Sequence, residues 1–201
     1  MKGIILLNGE PYEGQINRDK EDFVVCADGA LSWAKGKIRI DACAGDFDSL
    51  GYIPEAAIVY PSEKDYTDGE IALFMLIDKG YKEIEIYGGG GKREDHFFGN
   101  LQLLYAAYLK GVKAVLKTAY SDITCESGKI VFDGEKGRTV SLAPVGLSAH
   151  IIKSEGLKYP LKDLTLSAGT CRGVSNIVVS DHAYADCAEG VLFVFRINSA
   201  E

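Results

Sequence analysis

Three short segments in the first half of the chain combine acidic, glycine and basic residues at spacings that suit phosphate chemistry: ACAGDFDSL, PSEKDYTDGE and YGGGGKREDHFFGN. In the first, Asp46 and Asp48 lie just past an apolar run. Carboxylates two residues apart in a turn can aim at one point, and hard cations such as Mg²⁺ take oxygen ligands of that kind. The plainer alternative is an Asp-rich turn capping a helix at Ser49. In the second, Asp65 and Asp68 stand directly before a helical pattern, where Thr67 or Asp68 also makes a good N-cap. In the third, four glycines after EIEIY allow close backbone approach to a ligand, Lys92 and Arg93 supply cations, and Asp95 opens the next helix. Glycine loop, helix N-terminus and cations together make an anion cradle, with a bland glycine turn as the alternative. The loop is not a Walker A motif. Nor is it a dinucleotide fingerprint, since aligning Gly88 and Gly90 puts Arg93 where the last glycine belongs. Aspartates beside phosphate repel it unless a metal intervenes, so acids and cradle together predict a bridging Mg²⁺. Phosphoryl transfer asks mainly for such positioning and charge neutralisation. The residues by themselves therefore predict Mg²⁺-dependent chemistry on a nucleotide polyphosphate.

The elements that must carry these turns follow two rhythms. Up to about residue 120, the runs GIILL, DFVVCA, IRIDACA, AAIVY, EIEIY and KAVLKT alternate with helical patterns. TDGEIALFMLIDKG carries Ile71, Phe74 and Ile77 at helical spacing, and EDHFFGNLQLLYAAYLKG carries Phe97, Leu101, Leu104 and Tyr108 on one stripe. Strands alternating with helices predict a mostly parallel α/β sheet, whose carboxyl edge is where ligands bind. After Ser121 the helical period disappears. The runs KIVF, TVSLAPV, AHIIKS, LTLSA, SNIVVS, AYADC and VLFVFRI follow, punctuated by Gly, Asp, Ser and Pro, as in a small β-sandwich. The expected division is an α/β domain over 1–124 and a smaller all-β sandwich domain over 125–201.

Composition narrows the partners. The 201 residues are 47% hydrophobic and 25% charged, as in an ordinary globular protein. Twenty-two basic against 29 acidic residues give a formal charge of −7, which disfavours nucleic acid or an anionic membrane as a partner. Any polyphosphate must be met by local cations, backbone N–H groups or a metal ion. Five scattered cysteines with no C-x-x-C pair form neither a disulfide framework nor a zinc site. No apolar stretch is long enough for a signal or a membrane span, so the expected location is the cytoplasm.

The motifs ADGA (27–30), GDFDS (45–49), KDYTD (64–68), GKREDHFFGN (91–100) and the late GLKYPL…GTCRGVSN resemble, in that order, those of the thiamine pyrophosphokinase family. The resemblance covers nearly the whole chain. It implies transfer of a pyrophosphoryl group from ATP to the hydroxyl of thiamine, giving thiamine diphosphate and AMP. It also implies a homodimer whose active sites are shared between chains. Carried over by position, Asp46 and Asp48 match the family's metal-binding acids, with Asp68 and Asp95 as further metal ligands. Arg93 and Asp95 match the R-x-D-H element, and Asp46, Asp48, Asp68, Arg93 and Asp95 form the catalytic set. Asp28, Gly29, Lys64, Thr67, Lys92 and Arg93 fall to the nucleotide, Ser175 and Asn176 to thiamine. Two positions depart from the pattern. Lys92 stands where a second glycine often precedes the arginine, and Ile177 where the family commonly has Glu.

The remaining candidates read as structural. Cys171 and Cys187 are expected as small core residues, and Trp33 and Tyr66 as packing aromatics. His96 beside Asp95 suits local hydrogen bonding; His150 and His182 carry no visible constellation. Two other functions keep the same motifs: a kinase or pyrophosphokinase acting on another small alcohol, and a nucleotide or thiamine sensor without catalysis.

Overall fold

The computed structural model describes residues 1–47, 51–54, 57–59 and 65–198. The chain divides into two compact units, Met1–Ala119 and Tyr120–Glu201.

Among the described residues of the first unit, six strands form one parallel sheet: β1 (Gly3–Leu6), β2 (Phe23–Ala27), β3 (Ala42–Gly45), β4 (Ala57–Val59), β5 (Glu83–Tyr87) and β6 (Lys113–Lys117). Their spatial order is β6-β5-β1-β2-β3-β4, every pairing parallel. Sheets covered on both faces read as continuous apolar runs, and β1 and the last four residues of β2 are fully buried. The chain steps outward from β1 to β4 and then returns to the other side of β1 with β5. That reversal places a topological switch point between the carboxyl ends of β1 and β5.

Three α-helices accompany this sheet among the described residues: α1 (Leu31–Ala34), α2 (Asp68–Asp78) and α3 (Glu94–Leu109). The buried side of α2 is Ile71, Ala72, Leu73 and Leu76, not the Ile71–Phe74–Ile77 stripe expected. DGEIALFMLID is apolar on nearly every face, so periodicity alone could not orient it. Gly3 decides the matter, because a Cβ there would lie 2.6 Å from Leu76 Cδ1. The buried side of α3 is Leu101, Leu103, Leu104 and Ala107, with Phe97 and Tyr108 only half-buried. Each leucine buried this way contributes roughly 2 kcal/mol.

At the amino edge of the sheet, Arg18 grips Asp41 with two bonds of 2.9 and 2.7 Å, and Asp41 accepts from Val24 N. Asp22 accepts from Lys2 N and Asp19 N. This edge is held by ion pairs and is remote from the acidic turns.

The second unit is antiparallel throughout its described strands: β7 (Ser121–Val131), β8 (Thr139–Pro144), β9 (Ser148–Glu155), β10 (Leu164–Ser167), β11 (Asn176–Ile177) and β12 (Tyr184–Ile197). AYADC and VLFVFRI, read as separate strands, are one strand broken by an irregularity between Cys187 and Leu192. The first half of β12 pairs with β9, the second with β8, and β7 accompanies both. Ile130, Leu142, Ile151, Leu166, Ala185 and Val194 from these strands, with Phe132 just past β7, share one core. Cys187 is buried there as expected, whereas Cys171 is exposed on a turn, where its small size serves no packing.

Candidate active site

The sequence-selected turns of the first unit all leave carboxyl ends of strands or open helices. Asp28 follows β2, Asp46 follows β3, the glycine run follows β5, and Asp68 and Asp95 lie in the first turns of α2 and α3. Asp48 and Lys64, also expected in the site, lie outside the described residues.

Local backbone conformation marks the same places. Five described non-glycine residues have positive φ: Asp28 (41°), Phe47 (59°), Lys92 (55°), Asp163 (50°) and Ser175 (58°). All but Asp163 fall in the motifs singled out from sequence. Such conformations cost about 1–3 kcal/mol each and persist where surroundings over-determine them, often at functional sites. Phe47 shows how. Its ring is buried in the cluster formed with Ile4, Val24, Cys26, Ala30 and Tyr87, which anchors the turn that presents Asp46. Gly45 brings this turn against its neighbour, because a Cβ there would lie 3.0 Å from Cα and Cβ of Asp28. Two acidic turns from adjacent parallel strands thus meet at one edge.

The two helix N-termini are finished differently. At α2, Thr67 Oγ1 accepts from Glu70 N (3.2 Å), and Glu70 Oε2 accepts from Thr67 N (2.8 Å) and Oγ1 (3.0 Å). This capping box commits Thr67 to the helix end. At α3, the N-cap is Arg93, whose side chain makes no capping bond. Asp95 Oδ1 accepts from His96 N at 3.0 Å and from Arg93 Nε at 3.1 Å. The open helix end, with exposed Lys92 and Arg93 beside it, is the stronger anion site of the two.

The glycine run differs from the expectation of an open cradle. Gly88, Gly89 and Gly90 are buried, and their carbonyls accept from Gly9 N (2.7 Å), Asn100 Nδ2 (2.8 Å) and Glu10 N (2.7 Å) respectively. A Cβ at Gly88 would lie 2.4 Å from Leu7 O, and one at Gly89 would lie 2.6 Å from Leu116 Cδ1. Glycine is required here by packing against Leu7, just past β1, and against Leu116 of β6. Only at Gly91 does the loop emerge, and it delivers Lys92 and Arg93 at the switch point.

Arg93 and Asp95 are exposed and paired, and the guanidinium holds the Asp95 carboxyl at about 2. Burial pushes the Cys26 thiol upward and does the same to Cys43, its partner across β2–β3, so neither is a nucleophile. Trp33 is a packing residue, as expected: its Nε1 donates to Leu7 O at 3.0 Å. Tyr66 packs edge-on against Phe74.

Among the described residues, no group of three or more His, Cys, Asp or Glu side chains converges as a metal cage. The donor chemistry at the edge is nonetheless that of a hard cation: Asp28 and Asp46 on touching turns, with Asp68 and Asp95 at the two helix ends.

In the second unit, Ser175 is exposed, and its N–H donates to Ser141 Oγ at 2.9 Å. Asn176 is buried. Its Oδ1 accepts from Tyr159 N (3.0 Å) and Ile177 N (2.9 Å), and its Nδ2 donates to Tyr159 O (2.7 Å). Asn176 therefore fixes the Tyr159 segment, while Ser175 faces outward. Sequence reading missed Phe47, Asn100 and Ser141. Of these, Phe47 carried a signal as a large apolar residue between two acids, and Asn100 stood at the end of GKREDHFFGN without a role of its own.

A parallel α/β unit with acidic turns and a basic helix end at its switch point, followed by an antiparallel β unit, defines a two-part phosphotransferase architecture. Residues 17–116 match the family described as "Thiamin pyrophosphokinase, catalytic domain", and residues 127–192 match "Thiamin pyrophosphokinase, vitamin B1 binding domain". A thiamine pyrophosphokinase of Bacillus subtilis (strain 168) is 34% identical over 175 residues, 80% of this chain and 79% of that protein. The crystal structure of thiamine pyrophosphokinase from Bacillus subtilis superposes with a TM-score of 0.83 at 26% identity, covering 99% of this chain and all of that one. A family protein from Enterococcus faecalis also reaches 0.83 at 21% identity, which shows the shared fold. The chain belongs to the thiamine pyrophosphokinase family.

Proposed function

We infer that this protein transfers the pyrophosphoryl group of ATP to the hydroxyl of thiamine, giving thiamine diphosphate and AMP. The observation that supports the reading is that the Asp28 and Asp46 turns, which touch each other, and the open, basic N-terminus of α3 all lie at the carboxyl edge of one parallel sheet, in a chain whose two parts match the two domains of one family.

The hydroxyl oxygen of thiamine attacks the β-phosphorus of ATP. The bond from that phosphorus to the oxygen bridging it to the α-phosphate breaks, and AMP leaves with the electron pair. The hydroxyl proton passes to solvent or to a site carboxylate. A loose transition state makes little demand on a base, so the work of the chain is positioning and charge neutralisation. Arg93, Lys92 and the first N–H groups of α3 receive phosphate oxygens, with Lys64 as a further cation. Asp46 and Asp48, with Asp68 or Asp95, would hold Mg²⁺, and the adjoining Asp28 turn with Gly29 falls to the nucleotide. When bound, that ion would supply Lewis-acid charge neutralisation for the polyphosphate. The acidic edge also suits the cationic thiazolium of the acceptor.

By the family resemblance Ser175 and Asn176 fall to thiamine; Ser141 Oγ accepts from Ser175 N, and Asn176 bonds the Tyr159 backbone beside it. The family resemblance supports a sandwich arrangement for the β unit, a homodimer with shared sites, and the roles given to individual residues. Among the described residues, no helix is long and apolar enough to cross a membrane. Supply of ATP and the free cysteines support a cytoplasmic location.

Incubation with ATP, Mg²⁺ and thiamine tests the reading. AMP formed together with thiamine diphosphate is the expected result. ADP would mark a simple kinase, AMP with a different alcohol another acceptor, and binding without turnover a sensor.

A further inference from the structure

Three consecutive carbonyls leave β5, and they do not share one kind of partner. Those of Gly88 and Gly90 are taken by Gly9 N and Glu10 N, continuing the β1–β5 ladder past the strand ends. The carbonyl between them, that of Gly89, points the other way and meets the side chain of Asn100 at 2.8 Å. Asn100 sits in the second turn of α3, and the loop that begins at Gly89 runs into the first turn of the same helix through Arg93. The bond thus closes a ring from residue 89 to residue 100, with Gly91, Lys92 and Arg93 as its exposed arc.

Nothing else fits at the closure. A Cβ at Gly89 would lie 3.2 Å from Asn100 Nδ2, and one at Gly90 would lie 3.1 Å from Thr118 Cγ2. The same amide also neighbours α2, since its Oδ1 lies 3.9 Å from where a Cβ on Gly69 would stand. Gly69 follows Asp68 directly. One half-buried side chain therefore touches the loop that carries the cations and stands against the helix that carries Asp68.

We propose that Asn100 is a positioning residue for the nucleotide polyphosphate: it sets the Gly91–Arg93 arc, and with it the open end of α3, where phosphate oxygens bind. This rests on the assignment of Lys92 and Arg93 to the nucleotide. The alternative is that Asn100 only satisfies a buried carbonyl, which would affect stability and leave substrate constants alone.

Three variants separate these roles. Asn100→Leu keeps the volume and removes the donor. Its kcat/KM for ATP is expected to fall about ten- to a hundredfold, with KM for thiamine within about twofold of the starting protein, because misplacement near 1 Å acts on that scale. Asn100→Asp sets a carboxylate oxygen against Gly89 O and repels it, whereas its protonated form donates as the amide does. Activity of that variant relative to the unmodified protein should therefore recover as pH falls from about 8 to about 6, through the raised titration of a half-buried carboxyl beside a carbonyl. Arg93→Ala reports on the underlying assignment and should raise KM for ATP about tenfold or more.

If Arg93→Ala impairs ATP use while Asn100→Leu changes only the melting temperature, the positioning role is wrong and the phosphate site stands. If neither changes ATP kinetics, the site assignment fails and takes the inference with it. Should Asn100→Leu not fold, the pH series on Asn100→Asp decides alone: a constant ratio to the unmodified protein across the range overturns the proposal.

Discussion

Arg93 and Asp95 close on each other at the head of α3 through two parallel bonds, Nε to Oδ1 at 3.1 Å and Nη2 to Oδ2 at 2.5 Å. The pair stands in solvent, so its value is geometric. It presets the fork of the guanidinium at the helix end where phosphate is expected.

The first prediction concerns that pair and pH. Hydrogen bonding to the Arg93 guanidinium is the chief cause that holds the Asp95 carboxyl at about 2. A depressed carboxyl favours the folded, paired form above its ordinary value near 4, and that advantage is lost as pH falls through about 2. Asp95 therefore stays ionised throughout the working range and supplies no acid limb near neutrality. Carbon-13 titration should show its carboxyl unchanged from about pH 7 down to about pH 4, and Arg93→Ala should return the midpoint toward about 4. A midpoint near 4 in the unmodified protein would overturn the pairing.

The second concerns the metal. Asp46→Asn keeps size and turn-forming ability but removes charge. It should lower kcat/KM about a hundredfold or more, near 3 kcal/mol of transition-state stabilisation, and raise the Mg²⁺ needed for half-maximal rate. The melting temperature should barely move, because the turn is anchored by Phe47. Unchanged Mg²⁺ dependence, with turnover near normal, would sink the assignment of Asp46.

A third prediction separates two adjacent residues in the β unit. Asn176→Ala strands the N–H and carbonyl of Tyr159, at a cost of about 1–3 kcal/mol visible in thermal unfolding. Ser175→Ala removes an exposed hydroxyl, so stability should hold while KM for thiamine rises. The reverse pattern in calorimetry and kinetics would exchange their roles.

The fourth tests sharing of sites between chains. An Asp46 variant and a bulky Ser175 variant such as Ser175→Trp, each first shown to be inactive alone, are unfolded and reassembled together. Random pairing makes about half of the dimers mixed, and each mixed dimer has one intact site, so activity should return to about a quarter. Well-folded mixed dimers with no recovery would show that each site is built within one chain.

The switch from strand–helix alternation to short strands after Ser121 was legible because apolar spacing changes period when the sheet type changes. The acidic turns were legible because Asp, Gly and Arg crowd where strands end. Which face α2 buries was not, since its residues are apolar all round and only Leu76 against Gly3 settles it. The glycine run shows the deeper limit. Its composition fits a ligand cradle and a packing constraint equally, and only the approach of Leu7 O and Leu116 to Gly88 and Gly89 chooses packing. Thr67 was legible as an N-cap, because its capping box with Glu70 spans only three residues. Asn176, picked out by the resemblance, is committed to the Tyr159 backbone by a contact that only the fold creates. Asn100 closed the motif GKREDHFFGN, yet nothing in that motif assigned its side chain a role. By itself the sequence determined the chemistry available at the sheet edge, because residue type fixes charge and donor character. Which of those groups face a ligand was decided by packing between residues distant along the chain, where each carbonyl and amide takes whichever partner the fold brings near.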